Sequence, residues 1–486
     1  MHHLKRILLV ALRYASVSVL TLVIVYVYVL ESRPDLNVWH VPDLDAEFVA
    51  DKAADIKNLD DYRRLEDRLF AQLEKRVYER IDAADRTDAN RYHTGARMDP
   101  QRYSKNWNRS FELSHEQPVG GILLLHGLSD SPYSMRSLGQ LLHEKGFWVV
   151  GLRLPGHGTA PSGLLDVRWR DWAAAARVAA RHIRERIGSQ RPLHLIGYSN
   201  GAAVAVEYAI SVLEGEKLPK VQKMVLLSPA IGVSKAAVLA KWQARLSRVA
   251  GLKKVAWTDI APEFDPYKYN SFTVNAGQQI YELTRQIGTR LPNLGTSEGV
   301  AGFPKLLAFQ SAVDATVRPA ALIDVLFGDL ANDGHELVLF GVNRHAGLEA
   351  LMKSDQEHRV RAAFELVRRR FTITLIDNEN PESERVVART RQPGVEKEVV
   401  SPLNLSWPLG VFSLSHIALP FPPDDPIYGA KPDPDKTHPW VTLGAISVRG
   451  ERGLLLFSDS YFMRLRHNPF HSYMSERIVR HLIATP

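Results

Sequence analysis

Leu193-His194-Leu195-Ile196 runs straight into Gly197-Tyr198-Ser199-Asn200-Gly201 and out through Ala202-Ala203-Val204-Ala205-Val206. A short, mainly apolar run of strand type, a G-x-S-x-G pentapeptide and an alanine-rich helical stretch to Val212 therefore follow one another without a gap. The pentapeptide alone says little: with 31 glycines in 486 residues, chance supplies roughly 0.1 of them. Its flanks carry the reading. A sharp strand-to-helix turn lifts a serine hydroxyl clear of the sheet, and glycines on either side leave room where a side chain would collide with strand or helix. The helix N-terminus adds partial positive charge and free N–H groups where an oxyanion can form. A serine in an ordinary glycine-rich turn is the plainer alternative.

Working outward, apolar strands are predicted at Gly121–Leu125, Trp148–Leu152, Leu193–Ile196, Lys223–Leu227, Leu306–Gln310 and Glu336–Phe340. Helical stretches fall between them at Ser134–Glu144, Trp169–Arg186 and Ala202–Val212, the alternation of a parallel sheet covered on both faces. Two segments interrupt it. Residues 231–303 read as inserted helix and loop, and residues 344–400 hold a basic helix (Glu357–Arg370) and a strand pair, Phe371–Ile376 and Arg385–Thr390. Seven prolines between Ala418 and Trp440 predict extended loop. The first strand ends in His126-Gly127-Leu128. Gly127 would let the chain turn so that the Leu128 N–H faces a reacting carbonyl oxygen from the side opposite the Asn200 N–H. His126 is read as a brace for that loop.

His126-Gly127, Leu154-Pro155-Gly156-His157-Gly158-Thr159 and the elbow together resemble the α/β-hydrolase superfamily. Gly156-His157-Gly158 followed by Trp169-Arg170-Asp171-Trp172 is similar in particular to the monoacylglycerol lipase, carboxylesterase and serine aminopeptidase-like branch. The resemblance covers roughly 110–345 and 405–486. It implies a mostly parallel sheet of eight strands with helices on both faces, a helical cap after the sixth strand (about 231–303), and a Ser–acid–His triad in that chain order. Ser199 is then the nucleophile, with the Leu128 and Asn200 amides as oxyanion hole. The acid belongs at the end of the strand near 306–313, which gives Asp314, with Val317 three residues on; Asp324, Asp329 and Asp333 fall in or after the following helix. The family places the histidine near 345. His345 is there, but Leu414-Ser415-His416-Ile417 looks more like its Ser-His loop, ahead of a last strand at Ala445–Val448 or Leu454–Phe457 and a last helix at Ser475–Leu482. His416 is therefore preferred over His345, His335 and His438, although it stands unusually far from Asp314.

Composition sets the outer bounds. At about 150 residues per domain the chain is one large domain with attachments, or two to three domains. Apolar residues make up 45% and charged residues 24%, which excludes a disordered or collagen-like chain. The net charge of +7 is mild over this length; it suits an anionic membrane surface, and no basic stripe points to nucleic acid. The absence of cysteine removes disulfides, thiol catalysis, thiolate metal sites and a lipidated N-terminal Cys. No H-E-x-x-H or comparable spacing predicts a metal site, and the chemistry above needs no cofactor.

From Ile7 to Leu30 the only charge is Arg13. A helix of that length spans roughly 36 Å against about 30 Å of hydrocarbon. Tyr28-Val29-Leu30-Glu31-Ser32 lacks the small residues of a signal-peptidase site, so an uncleaved anchor is preferred over a cleaved signal or a core helix. Lys5, Arg6 and Arg13 before or within the span, against Arg33 alone among five acids after it, predict a cytoplasmic N-terminus and an exported catalytic domain, periplasmic in a bacterium. The predicted organisation is an anchor (1–31), a helical segment (32–110) and the hydrolase domain (111–486). The helical segment reads from Asp43 to about Arg91, with Leu59, Tyr62, Leu65, Leu69, Leu73, Val77 and Ile81 at steps of three and four. The function this predicts is a membrane-anchored serine hydrolase acting on a lipid or small acyl ester. An acyltransferase, a non-catalytic binding module and an aminopeptidase are the alternatives, the last needing cap acids such as Glu263, Asp265 or Glu298 to hold an ammonium. Trp242, Trp257, Phe264, Tyr267, Tyr269 and Phe272 would line an acyl pocket or simply form cap core.

Overall fold

Strands buried at every position, rather than at alternate ones, require a sheet covered on both faces. Gly120–Leu125 (β2), Leu193–Tyr198 (β4) and Lys223–Leu227 (β5) are of this kind. They form the centre of the sheet in a computed structural model that describes residues 2–102, 105–232, 253–347, 362, 364–365, 369–431, 442–446 and 463–484. Phe111–Leu113 (β1) and Phe147–Leu152 (β3) lie to one side. To the other lie Lys305–Ser311 (β8), Glu336–Phe340 (β9), Thr372–Asn378 (β10), Arg385–Arg391 (β11) and Val399–Ser406 (β12). The order is β1-β3-β2-β4-β5-β8-β9-β10-β11-β12, and β3 through β10 run parallel. Trp257–Asp259 (β6) and Phe272–Thr273 (β7) make a separate two-stranded ribbon in the cap region.

Two apolar clusters cover the sheet. On one face Trp169–Ile187 (α4) and Asn200–Leu213 (α5) bury alanine, valine and isoleucine against β2, β3, β4 and β5, and Val274–Arg290 (α6) packs over these two helices. On the other, Arg136–Glu144 (α3) and His471–Ile483 (α7) bury Leu138, Leu142, Met474 and Ile478. This is the α/β-hydrolase fold.

The sheet has ten strands rather than eight, because the segment after β9 adds to it. Beside β9 stands β10, in parallel register with Ile373 opposite Leu337; β11 and β12 continue antiparallel. No described residue near 445 extends the sheet: Ala445 closes a 3-10 turn, and the alternative last strand, 454–457, lies outside the described residues, as does most of the expected helix 357–370. The excursion also runs past the expected limit at 400. Val342 bridges Ser413, and Asn343 bonds Phe412 and Val411 through its amide (2.8 Å) and Nδ2 (2.7 Å). The chain thus leaves the end of β9 and returns to the same point some seventy residues later.

The apolar steps between 59 and 81 give one helix, Leu59–Arg76 (α2), capped by Asn58, whose side chain accepts from the Asp61 N–H. The helix ends there, short of the expected Arg91: Val77 leaves helical geometry (φ −123°), and Ile81 is buried from an extended backbone. This segment packs on the hydrolase domain. Tyr62 donates to the Arg153 carbonyl (2.7 Å), and the fully buried Arg153 guanidinium donates to Glu47 (2.8 Å) and Glu66 (2.9 Å). Helix α1 (His2–Glu31) is different. Its stretch Leu9–Glu31 is long and apolar enough to cross a membrane, with a mean hydropathy of 2.0, and its described side chains are exposed until Leu30.

Burial holds several histidines neutral. It pushes His157, His335, His471 and His481 down to about 4 and His40 and His194 to about 3. The unfolded chain binds these protons near pH 6.5 and the folded chain does not, so stability is full above 6.5 and falls as the pH drops from there toward 4. Each group removes about 1.4 kcal/mol per pH unit in that window. Urea unfolding midpoints should be equal at pH 8.5 and 7.5 and markedly lower at 5.5. A midpoint unchanged at 5.5 would mean that these imidazoles are not buried neutral.

Candidate active site

The turn between β4 and α5 sets the site. Ser199 lies in the left-handed region (φ 52°, ψ −112°), a conformation costly for a residue with a Cβ. It is held from both sides: its N–H donates to the Leu227 carbonyl (2.9 Å), and its carbonyl accepts from Ala202 (3.1 Å) and Ala230 (3.1 Å). A Cβ on Gly197 would stand 2.5 Å from the Ala202 backbone, and one on Gly201 would overlap the Leu125 and His126 carbonyls. Only glycine lets strand, turn and helix approach this closely.

Asp314 follows β8. One carboxylate oxygen accepts from the Thr316 (2.8 Å) and Val317 (3.0 Å) amides, which leaves the other to face His416 at 2.8 Å. His416 begins a 3-10 turn on the returning chain, 102 residues beyond Asp314. Ser311 Oγ donates to the Leu414 carbonyl (2.9 Å) and Ser415 Oγ to that of Leu465, so the loop is pinned on both sides. The ring of His416 then bridges: Nδ1–H donates to Asp314, and Nε2 stands 3.0 Å from Ser199 Oγ, as the acceptor for its hydroxyl. All three residues are buried, Ser199 least at 9% exposure.

The β2–α3 loop completes the site. His126 Nε2 accepts from the Leu154 N–H (3.0 Å), which fixes the tautomer, so Nδ1–H donates to the Gly127 carbonyl (2.8 Å). Burial and the neighbouring His157 keep His126 well below its ordinary pKa, hence neutral. Among the described residues, the Leu128 and Asn200 amides donate to no protein acceptor. Ser129, with φ 64°, turns the chain, and the buried Asp130 carboxylate lies over Gly127 and pairs with Lys268 (3.2 Å). Tyr269 N–H donates to the Ser129 carbonyl (2.8 Å). Asp130, Lys268 and Ser311 carried no motif signal in the sequence. A carboxylate three residues beyond His-Gly was the only available hint.

The other sequence candidates lie elsewhere. His345 is exposed in a 3-10 turn, His335 is buried at the opposite end of the sheet and accepts from the Leu306 N–H (3.1 Å), and His438 and Trp242 lie outside the described residues. Asp324, Asp329 and Asp333 follow β8 without reaching His416. Glu263, raised to about 7 by burial, accepts from the Asn270 and Ser271 amides, Asp265 from Tyr428, and Glu298 is exposed. Trp257, Phe264, Tyr267 and Tyr269 are buried in packing, Trp257 edge-on to His40 at 4.8 Å and Tyr267 stacked on Tyr133 at 4.0 Å. A cavity of about 480 Å³ lies away from Ser199, Asp314 and His416, between α2 and the Gly158-Thr159 loop. No group of three or more described His, Asp or Glu side chains could hold a metal.

Residues 116–346 match the family model described as serine aminopeptidase, S33. That match, the sheet order and the elbow agree on the α/β-hydrolase fold. A thermostable monoacylglycerol lipase of Bacillus sp. (strain H-257) is 30% identical over 92 residues, 19% of this chain and 35% of the relative, so the chain matches about a third of that relative's length. Among solved structures, the monoacylglycerol lipase of Paleococcus ferrophilus aligns at 20% identity over 53% of this chain and 96% of its own (TM-score 0.36). A soluble variant of the Saccharomyces cerevisiae monoglyceride lipase aligns at 13% over 52% and 89% (TM-score 0.36).

The elbow glycines supply a test. Gly197→Ala and Gly201→Ala should abolish soluble expression or lower Tm by well over 10 °C, because the added methyl meets backbone. In contrast Gly277→Ala, in α6 with nothing closer than 3.6 Å, should hold or raise Tm, in line with about 1 kcal/mol of helix propensity. Equal melting of all three proteins would contradict the close approach described above.

Proposed function

We propose that the protein is a membrane-anchored serine hydrolase that cleaves carboxylic esters of the acylglycerol or another lipid class through an acyl-enzyme. The observation that carries this reading is the hydrogen-bonded series Ser199–His416–Asp314, 3.0 Å and 2.8 Å long, beside two free amides at a left-handed elbow. His416 Nε2 takes the proton of Ser199 as Oγ attacks the ester carbonyl, and the Leu128 and Asn200 N–H groups receive the charge that develops on its oxygen. Asp314 holds the proton on Nδ1 and stabilises the imidazolium. His416 then protonates the leaving alcohol. Water enters, gives its proton to His416, and releases the carboxylic acid as Ser199 recovers its hydrogen. The aminopeptidase alternative is disfavoured because the buried cap acids are already bonded within the protein. Helix α1 anchors the chain, and the basic residues before and within it, against one after it, favour export of the catalytic domain.

Hydrolysis of p-nitrophenyl butyrate tests the assignment. Ser199→Ala and His416→Ala should each lower kcat by at least about 10³-fold, and Asp314→Asn by about 10³–10⁴-fold through loss of the correct tautomer. His345→Ala should stay within twofold. Activity that survives in His416→Ala and disappears in His345→Ala would move the base to the other histidine.

A further inference from the structure

The chain that leaves α1 does not run free to the catalytic domain. Two residues after the helix ends at Glu31, Arg33 donates through its guanidinium to the backbone carbonyls of Trp257 (2.7 Å), Lys254 (3.3 Å) and Thr258. Lys254 answers from the cap side, its Nζ donating to the Arg33 carbonyl (3.0 Å) and to Asp35 (2.8 Å). Further along, His40 Nε2 meets Ser271 Oγ (2.9 Å), and the Arg91 N–H donates to the Glu263 carbonyl (2.9 Å). The β6–β7 region of the cap is thus strapped to the segment that emerges from the span. At its other end the same region holds the loop of the oxyanion amide, through Tyr269 on Ser129 and Lys268 on Asp130.

The strap fixes where the cap stands. Two extended residues reach at most about 7 Å, so the ribbon lies within a side chain's length of the end of α1. An exposed surface pair such as Lys254–Asp35 adds little stability to the domain itself. Its geometric effect is to set height and orientation.

We infer that the Arg33–Lys254 strap docks the cap on the bilayer surface, so that the active site draws its substrate from the membrane: a bilayer-resident long-chain acyl ester in preference to a water-soluble one. This rests on the esterase reading above. Twelve Gly/Ser residues inserted between Ser32 and Arg33 leave every contact of the strap in place but let the domain drift by about 20 Å (5–6 Å × √12). The full chain and this variant, in phosphatidylcholine vesicles, are assayed on 1-oleoylglycerol in the bilayer and on p-nitrophenyl acetate in solution. The insertion should lower turnover of the vesicle-borne ester at least fivefold and leave the soluble ester within twofold, which also reports that the domain is folded. Equal effects on both substrates, or none on either, would overturn the inference and leave the esterase reading standing. Soluble-ester hydrolysis by the native chain with no cleavage of 1-oleoylglycerol would overturn it too. Failure of the native chain on both esters would remove the esterase reading itself.

Discussion

Everything at the active end of the sheet depends on how closely strand β4, helix α5 and strand β2 approach one another around Ser199. The Ala202 backbone sits where a side chain at 197 would stand, and the Leu125 and His126 carbonyls where one at 201 would. The serine is held in a backbone conformation that costs about 1–3 kcal/mol in isolation. Hydrogen bonds from both sides over-determine it: Leu227 and Ala230 at the end of β5 and Ala202 in α5 all bond its backbone. The strained turn aims the hydroxyl at His416 and leaves the Asn200 amide free of a protein acceptor.

The same economy of backbone contacts explains how His416 comes to bond Asp314 from 102 residues further along the chain. The excursion after β9 is closed at its neck by Asn343, which bonds the returning chain twice, and by the Val342–Ser413 bridge. Because the neck is closed, β10, β11 and β12 extend the sheet without moving the loop that carries His416. A chain that leaves and re-enters at one point costs only loop-closure entropy, which grows slowly with length.

Legibility in the sequence followed how local each signal was. The elbow and the central strands could be read because glycine spacing and continuous apolar runs are properties of five to ten residues; Lys223–Leu227 and Glu336–Phe340 have the bounds expected of them. His416 and Asp314 follow from a family pattern, and the chain between them contains the excursion that closes at Asn343. The register of β10 on β9 could not be read, since pairing partners on a sheet edge leave no trace in spacing. Nor could Lys268 and Asp130, ordinary charged residues whose meaning lies in the ion pair they form across 138 positions. The helix expected to reach Arg91 stopped at Arg76 because burial of Ile81 needs only the right side chain, not a helical backbone.

The central claim is that Ser199 is a nucleophile made reactive by His416. The most direct measurement is intact mass and peptide mapping of the full chain after reaction with a fluorophosphonate, which requires no knowledge of the substrate. The account predicts one adduct, on the peptide that contains Ser199, and labelling slowed by orders of magnitude in His416→Ala. An adduct on another serine, or labelling at the native rate without His416, would contradict it.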